Sequence, residues 1–391
     1  MIDARPKQHI SYDKNNPFMA RLIERRCLSK PESQKDTQHF VVDLDGSGLE
    51  YACGDSLGVF PSNDPNMVDL LLTALKATGS EMVKLPKHDA PVSLREALEC
   101  HLSLVGPSKK VFEWLQEQVT DEAQCERLEH LLKPENTEEL KAYMTTHDWV
   151  DLFEDFSSLP QGVNIQEVVS LMRRLVPRLY SIASSPVCHP EHVHLTVGVV
   201  SHEHRGRVRK GVATSYLAER VPLNEPALPV FVAKSHFGLP EDSAADLIMV
   251  GPGTGIAPFR AFLQERIITE APGRHWLFFG DQHRACDYLY EEELEAWHQE
   301  GGLDRLDLAF SRDQDHKIYV QDRMLEHSEE LWRWLEGGAY FYVCGDAKRM
   351  AKDVEAALVS IAQSQGGLTE EEALRYVKDL RKKKRYQKDV Y

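Results

Sequence analysis

The chain has 391 residues, too many for one ordinary core, so two or three domains are expected. With 42% hydrophobic and 28% charged residues it can bury a sizeable interior, and no apolar run approaches the roughly 18 residues that cross a bilayer. A formal net charge of −16 argues against a nucleic-acid-binding surface, which needs clustered Lys and Arg.

The opening Met1-Ile2-Asp3-Ala4-Arg5-Pro6 has no apolar signal core behind its charges, and a cytoplasmic location is expected. Before about residue 65, short alternating segments such as 39–44, closed by Asp45-Gly46-Ser47-Gly48, read as hairpins. From Asn66 to about Gly162 the period becomes helical, as in 68–75 and 138–144. Strands return near Arg178, with a β-branched run at 193–200 and a short strand at 229–233 led by Pro229. The simplest account is an antiparallel β-barrel over 1–65 and 163–240, interrupted by a helical insertion over 66–162. From 241 to 391 apolar runs at 247–250, 276–279, 306–310 and 339–343 alternate with amphipathic helices, the rhythm of a doubly wound parallel sheet. The basic run 381–385 reads as a solvated helix face. Seven scattered cysteines form no Cys-x-x-Cys pair, so no metal is expected, and six of them read as inert buried thiols.

Several segments carry residue types suited to a flat redox cofactor. Alternation places Arg178 and Tyr180 on one face beside Ser181, where a ring can stack and a guanidinium can bond a diphosphate. A barrel strand with an exposed Arg shows the same pattern. Gly211-Val212-Ala213-Thr214-Ser215 opens a helix at 216–221 and lets backbone N–H groups approach an anion; a plain capped helix is the competing account. Gly251-Pro252-Gly253-Thr254-Gly255 follows a strand and precedes a helix at 259–266, as pyrophosphate binding at a sheet's carboxyl edge requires, although it departs from Gly-x-Gly-x-x-Gly. A tight βα turn without a ligand would look alike. Ser311-Arg312, Lys317, Tyr319 and Gln321 follow the next-but-one strand and combine cations with hydroxyls, the donors a 2′-phosphate needs; singly, each is an ordinary surface residue. Cys344-Gly345-Asp346 closes another strand, where a buried thiol is more often packing than chemistry. The chain ends in Arg385-Tyr386-Gln387-Lys388-Asp389-Val390-Tyr391, an aromatic preceded by an acid.

In this order and at these spacings the segments resemble the flavin and NADPH half of the diflavin reductases, most closely the flavoprotein component of assimilatory sulfite reductase. The resemblance implies FAD and NADPH as cofactors. Arg178 and the amides of Gly211, Val212, Ala213 and Thr214 would hold the FAD diphosphate; Tyr180 would stack on the isoalloxazine, with Ser181 near its N5. Thr196, Val197, Gly198 and Val199 match the strand beside the flavin. Gly253, Thr254 and Gly255 would lie at the nicotinamide and pyrophosphate, and Ser311, Arg312, Lys317, Tyr319 and Gln321 at the 2′-phosphate. Ser181, Cys344, Asp389 and Tyr391 would form the catalytic centre, with Tyr391 covering the flavin face opposite Tyr180 and moving before nicotinamide can stack.

The same resemblance makes 66–162 a connecting domain. Relatives carry a flavodoxin-like FMN domain ahead of this region, whereas here only a few residues precede Ser11, so electrons are expected to leave to a separate protein. A flavodoxin, a ferredoxin or the haem and iron–sulfur subunit of sulfite reductase would serve. Arg205, Arg207, Arg209 and Lys210 are one candidate docking patch for an acidic carrier. A stand-alone NADPH:ferredoxin or flavodoxin reductase and a non-catalytic flavin-binding scaffold are the rival readings.

Overall fold

The computed structural model describes residues 12–160 and 162–391; the N-terminal hexapeptide on which the cytoplasmic expectation rests lies outside them. In chain order the strands are β1 (Phe18–Cys27), β2 (Asp36–Asp43), β3 (Ser56–Val59), β4 (Met82–Val83), β5 (Val92–Ser93), β6 (Arg178–Ser181), β7 (His192–Val199), β8 (Ser201–His204), β9 (Arg207–Lys210) and β10 (Pro226–Ala233). They continue with β11 (Leu247–Val250), β12 (His275–Asp281), β13 (Arg305–Phe310), β14 (Tyr340–Gly345) and β15 (Tyr386–Val390).

The chain divides into two compact units. One comprises the residues up to Val59, Leu179–Thr214 and Arg220–Tyr391; the other comprises Phe60–Arg178 and Ser215–Glu219. The second is helical and extends beyond the expected 66–162, because the helix Ile165–Leu171 buries Val168 and Val169 in the same core as Phe112, Trp149 and Phe153. Apolar residues at helical spacing leave it no other face to bury.

The first unit holds two sheets. The antiparallel one runs β6-β3-β10-β1-β2-β7, and the bridge from Ile182 to Leu195 joins its ends into a barrel. Alternation on β7 puts Val193, Leu195 and Val197 in the interior. Pro229 does not open its strand as expected: β10 begins at Pro226, and Pro229 faces Met19 beside a register shift at Ala20/Arg21, an irregularity that tolerates a missing N–H.

The second sheet is parallel throughout, in the order β13-β12-β11-β14-β15. Its first strand is central, so the order in which strands are added reverses between β11 and β14, and ligands of such sheets bind outside the carboxyl ends at that point. β15 was not foreseen. The terminal segment 386–390 pairs in register with β14, placing Asp389 opposite Cys344, while Arg381 and Arg385 of the basic run bond to Glu355 and to the Ala339 carbonyl rather than only to solvent. Of the six cysteines read as buried, only Cys53 and Cys286 are; Cys27 and Cys100 are exposed and Cys125 and Cys188 partly so. Among the described residues no helix is long and apolar enough to cross a membrane.

Candidate functional site

Where β11 and β14 end, the topology brings three distant segments together. The loop 251–255 closes so tightly on β14 that a Cβ on Gly255 would stand 2.2 Å from the Cys344 carbonyl oxygen, and Gly253 adopts φ +57°, a conformation that favours glycine. Ser181, at the end of β6, donates its hydroxyl to the Asp389 carboxylate. The Cys344 sulfur lies 3.8 Å from the same carboxylate oxygen. Burial, and then the neighbouring Asp389 charge, pushes that thiol well above its ordinary range, so it stands as a neutral group. Thr254 Oγ1 and Tyr391 Oη are 2.9 Å apart, and a Cβ on Gly198 of β7 would meet Thr254 at 3.7 Å. Ser181, Gly198, Thr254, Cys344, Asp389 and Tyr391 therefore form one cluster, contributed by both sheets. Tyr391 as a residue is 64% exposed, and its hydroxyl is held by Thr254.

The remaining residues expected at the flavin divide. Tyr180 is half-buried on β6, next to Ser181. Gly211 donates its N–H to Val200 O at 2.8 Å, and Thr214 Oγ1 accepts from Val200 N at 3.2 Å, so the start of the short helix Val212–Ser215 is strapped to the end of β7. A Cβ on Gly211 would come within 2.5 Å of Thr214 Oγ1, a close approach only glycine permits. Val212 is half-buried and Ala213 buried. Arg178 falls in the second unit, where its Nη1 donates to the Val176 carbonyl at 2.7 Å. Thr196 and Val197 are buried, and the Thr196 hydroxyl is taken by Tyr290 at 2.6 Å; Gly198 and Val199, at the end of that strand, are half-buried.

A cavity of about 480 Å³ opens at the carboxyl ends of β11, β12 and β13, beside the loop 251–255. Gly253, Ser311, Arg312, Lys317, Tyr319 and Gln321 all line it, so the expected phosphate cluster is assembled in one place. The sequence reading missed two further contributors. Lys35, from the loop before β2, reaches across to pair with Asp281 at the end of β12, and Arg349 adds another cation to the wall. Burial raises the Asp281 carboxyl above its usual range while Lys35 opposes the shift. Gln282 presents a buried side-chain oxygen without a hydrogen-bond partner, and Gly280 packs so closely that a Cβ would lie 2.7 Å from Ala309 O. An unsatisfied buried acceptor, a glycine-shaped floor and several cations fit an anionic nucleotide with hydroxyl donors. No local sequence signal marks Lys35, which the fold brings in from more than 200 positions away.

Comparison with known proteins matches the same architecture. The model for the FAD binding domain covers residues 10–216, and that for the oxidoreductase NAD-binding domain covers 249–356. The chain is 46% identical over 382 residues to the sulfite reductase [NADPH] flavoprotein alpha-component of Bacillus subtilis (strain 168), aligning 97% of itself with 62% of that protein. It is 44% identical to the proteins of the same name from Vibrio cholerae and Escherichia coli O9:H4, spanning 60% and 62% of their lengths. It thus spans about three fifths of these curated relatives. With more than half of its residues in the first match and four of the five parallel strands under the second, the chain belongs to the FAD binding domain family and carries an oxidoreductase NAD-binding domain behind it.

Proposed function

We propose that this chain takes a hydride from NADPH onto FAD and passes the electrons to a separate redox protein, in sulfite reduction. The observation that carries the proposal is the Asp389 carboxylate held between the Ser181 hydroxyl and the Cys344 thiol, beside Thr254, where the strand order of the parallel sheet reverses. The relatives' names, which specify NADPH, sulfite reductase and an alpha-component, support the donor, the pathway and a second component.

Bound FAD supplies a two-electron acceptor for hydride and a one-electron donor toward a partner. The chain's own residues bind and orient. Tyr180 and Tyr391 offer ring faces, Gly211 to Thr214 offer close backbone N–H groups, and Gly198 leaves the space a side chain would fill. Arg178 would join them at the diphosphate. Ser181 offers a hydroxyl whose orientation Asp389 fixes. The loop 251–255 and the cavity beyond it take the nicotinamide and the phosphates, with Arg312, Lys317, Ser311, Tyr319 and Gln321 at the 2′-phosphate. A neutral, buried Cys344 thiol cannot act as a base; it is a small packing wall that keeps water from the reacting ring. The carboxylate of Asp389 favours positive charge developing on the nicotinamide as hydride departs.

The test is the visible spectrum of the purified chain, reconstituted with FAD, before and after anaerobic NADPH. Bleaching of the flavin bands is expected; a flavin spectrum indifferent to the nucleotide would overturn the proposal. Selectivity is a separate prediction. Arg312→Ala and Lys317→Ala should each weaken NADPH binding about 10- to 100-fold, the loss of one charge-assisted contact, while leaving the weaker NADH affinity unchanged. Titration of both nucleotides against each variant decides it, and equal losses for NADPH and NADH would remove the two cations from the 2′-phosphate.

A further inference from the structure

Between the two sheets of the first unit runs a seam of buried polar groups that the reaction centre does not contain. Its middle is Arg260, on the helix Ala257–Ile268 and 5% exposed. One edge of its guanidinium forks onto the Glu293 carboxylate. On the other side Nη1 donates to the Ala183 carbonyl at 2.7 Å and lies 3.2 Å from His194 Nδ1. The guanidinium also stands 4.8 Å from the centroid of the Tyr290 ring. The Tyr290 hydroxyl in turn lies 2.9 Å from His39 Nδ1 and 2.6 Å from Thr196 Oγ1. Tyr290 has φ +57°, uncommon for a bulky residue and retained where the surroundings over-determine it.

The positions of these contacts matter more than their number. Along β7, His194, Thr196 and Gly198 alternate onto one face. His194 touches Arg260, Thr196 touches Tyr290, and Gly198 faces Thr254 of the nucleotide loop. Ala183, the other anchor, is two residues beyond Ser181, whose hydroxyl meets Asp389. The helix that carries Arg260 begins directly after the loop 251–255. One rigid, planar group therefore ties the ends of β6 and β7 to the root of the nucleotide loop. Buried ion pairs contribute little net stability, whereas the forked geometry of a guanidinium fixes register.

We propose that Arg260 is a positioning residue for hydride transfer, holding Ser181 and the Thr196–Gly198 face of β7 at a fixed spacing from Thr254 through Ala183, His194 and Tyr290. This rests on the function proposed above. The outcome at stake is geometric: a displacement near 1 Å between reacting groups slows a reaction about 100-fold without loosening the ligands.

The test uses the full chain with FAD bound and three variants: Arg260→Lys, which keeps the charge but not the fork; Tyr290→Phe, which keeps the ring but not the bridge; and the paired Arg260→Gln with Glu293→Gln, which strands no charge if the first misfolds. Two readouts are taken. Amide hydrogen exchange without nucleotide should rise at residues 193–199 and 251–256 and stay at wild-type values in the helix 350–366. The rate constant for flavin reduction at saturating NADPH should fall about 10- to 100-fold in Arg260→Lys, and less in Tyr290→Phe, with the NADPH dissociation constant within about twofold and FAD content unchanged. Wild-type reduction rates in variants that hold FAD, or a rate loss matched by lost FAD or by exchange rising everywhere, would overturn the proposal. If the wild-type chain is itself not reduced by NADPH, the functional reading fails instead, and unchanged exchange at 193–199 and 251–256 would still exclude a positioning role for Arg260.

Discussion

Asp389→Asn is expected to slow NADPH-driven flavin reduction by about 100- to 1000-fold while leaving FAD and NADPH bound, the size of effect seen when one preorganised electrostatic contact to a transition state is removed. The substitution is nearly isosteric. It preserves the β15 ladder, in which Asp389 pairs with Cys344 through backbone groups, and it can still accept from Ser181. What it removes is negative charge, in a place where burial already forbids the neighbouring thiol from supplying any. Because the charge is needed most as the nicotinamide becomes cationic, the loss should fall on the reduction rate constant at saturation rather than on affinity. Stopped-flow reduction with NADPH deuterated at C4 would show a larger primary isotope effect as hydride transfer becomes fully rate-limiting. Wild-type reduction rates in the variant would sink the assignment of the carboxylate to the reaction centre.

The second large effect concerns stability. His39 and His194 are buried side by side, with ring centroids 4.9 Å apart. Burial lowers the His39 pKa to about 3, with Arg260, Arg26 and His189 adding like charge. Burial lowers that of His194 to about 2, helped by Arg260, His39, His189 and His192. Both therefore stay neutral in the folded chain, while in the unfolded chain each takes a proton near its ordinary pKa of about 6.5. The unfolded state binds more protons between these values, so the stability owed to the neutral pair is complete above about pH 6.5 and is lost as pH falls toward 3. At pH 5 the two together should have cost on the order of 4 kcal/mol, at about 1.4 kcal/mol per pKa unit, a large part of a typical folding free energy. Urea midpoints at pH 7.5 and pH 5 measure it, and the comparison with His39→Gln/His194→Gln isolates it from the carboxylates. An equal acid loss in the double variant would show that the two histidines are not responsible.

How far the sequence could be read follows from which signals are local. The loop 251–255 sits between an apolar β-branched run and a helix, so strand, turn and helix announce themselves within twenty residues. The cluster Ser311, Arg312, Lys317, Tyr319 and Gln321 is similarly contiguous, and the cavity unites it. β15 gave no such signal. Its residues Gln387, Lys388 and Asp389 are polar because an edge strand buries only part of its surface, and such a strand does not stand out from a tail. The seam was invisible for a different reason. His39, Thr196 and Arg260 come from three separate elements, Tyr290 and Glu293 from the start of a fourth, and each is an unremarkable residue until the two sheets meet. Lys35 belongs to the same class, a surface lysine by every local criterion and a wall of the cavity beside the loop 251–255 in the fold. The helical unit was recognised by its period, but its far edge was blurred because Ile165–Leu171 is only two turns long.

The place of Asp389 in the parallel sheet also bears on how the protein fails when warmed. Among the described residues β15 has one neighbouring strand, β14, and none beyond it. Opening it breaks one short ladder, the Asp389, Gln387 and Lys388 side-chain contacts and the burial of Tyr386, but leaves the β11, β12 and β13 pairings whole, so its free energy of detachment lies below that of melting the domain. Heat would therefore lift the carboxylate away from Ser181 while the flavin barrel and the nucleotide cavity are still intact. The chain would then be a folded, pigmented protein that has lost its chemistry, and cooling would restore it by re-zipping five residues.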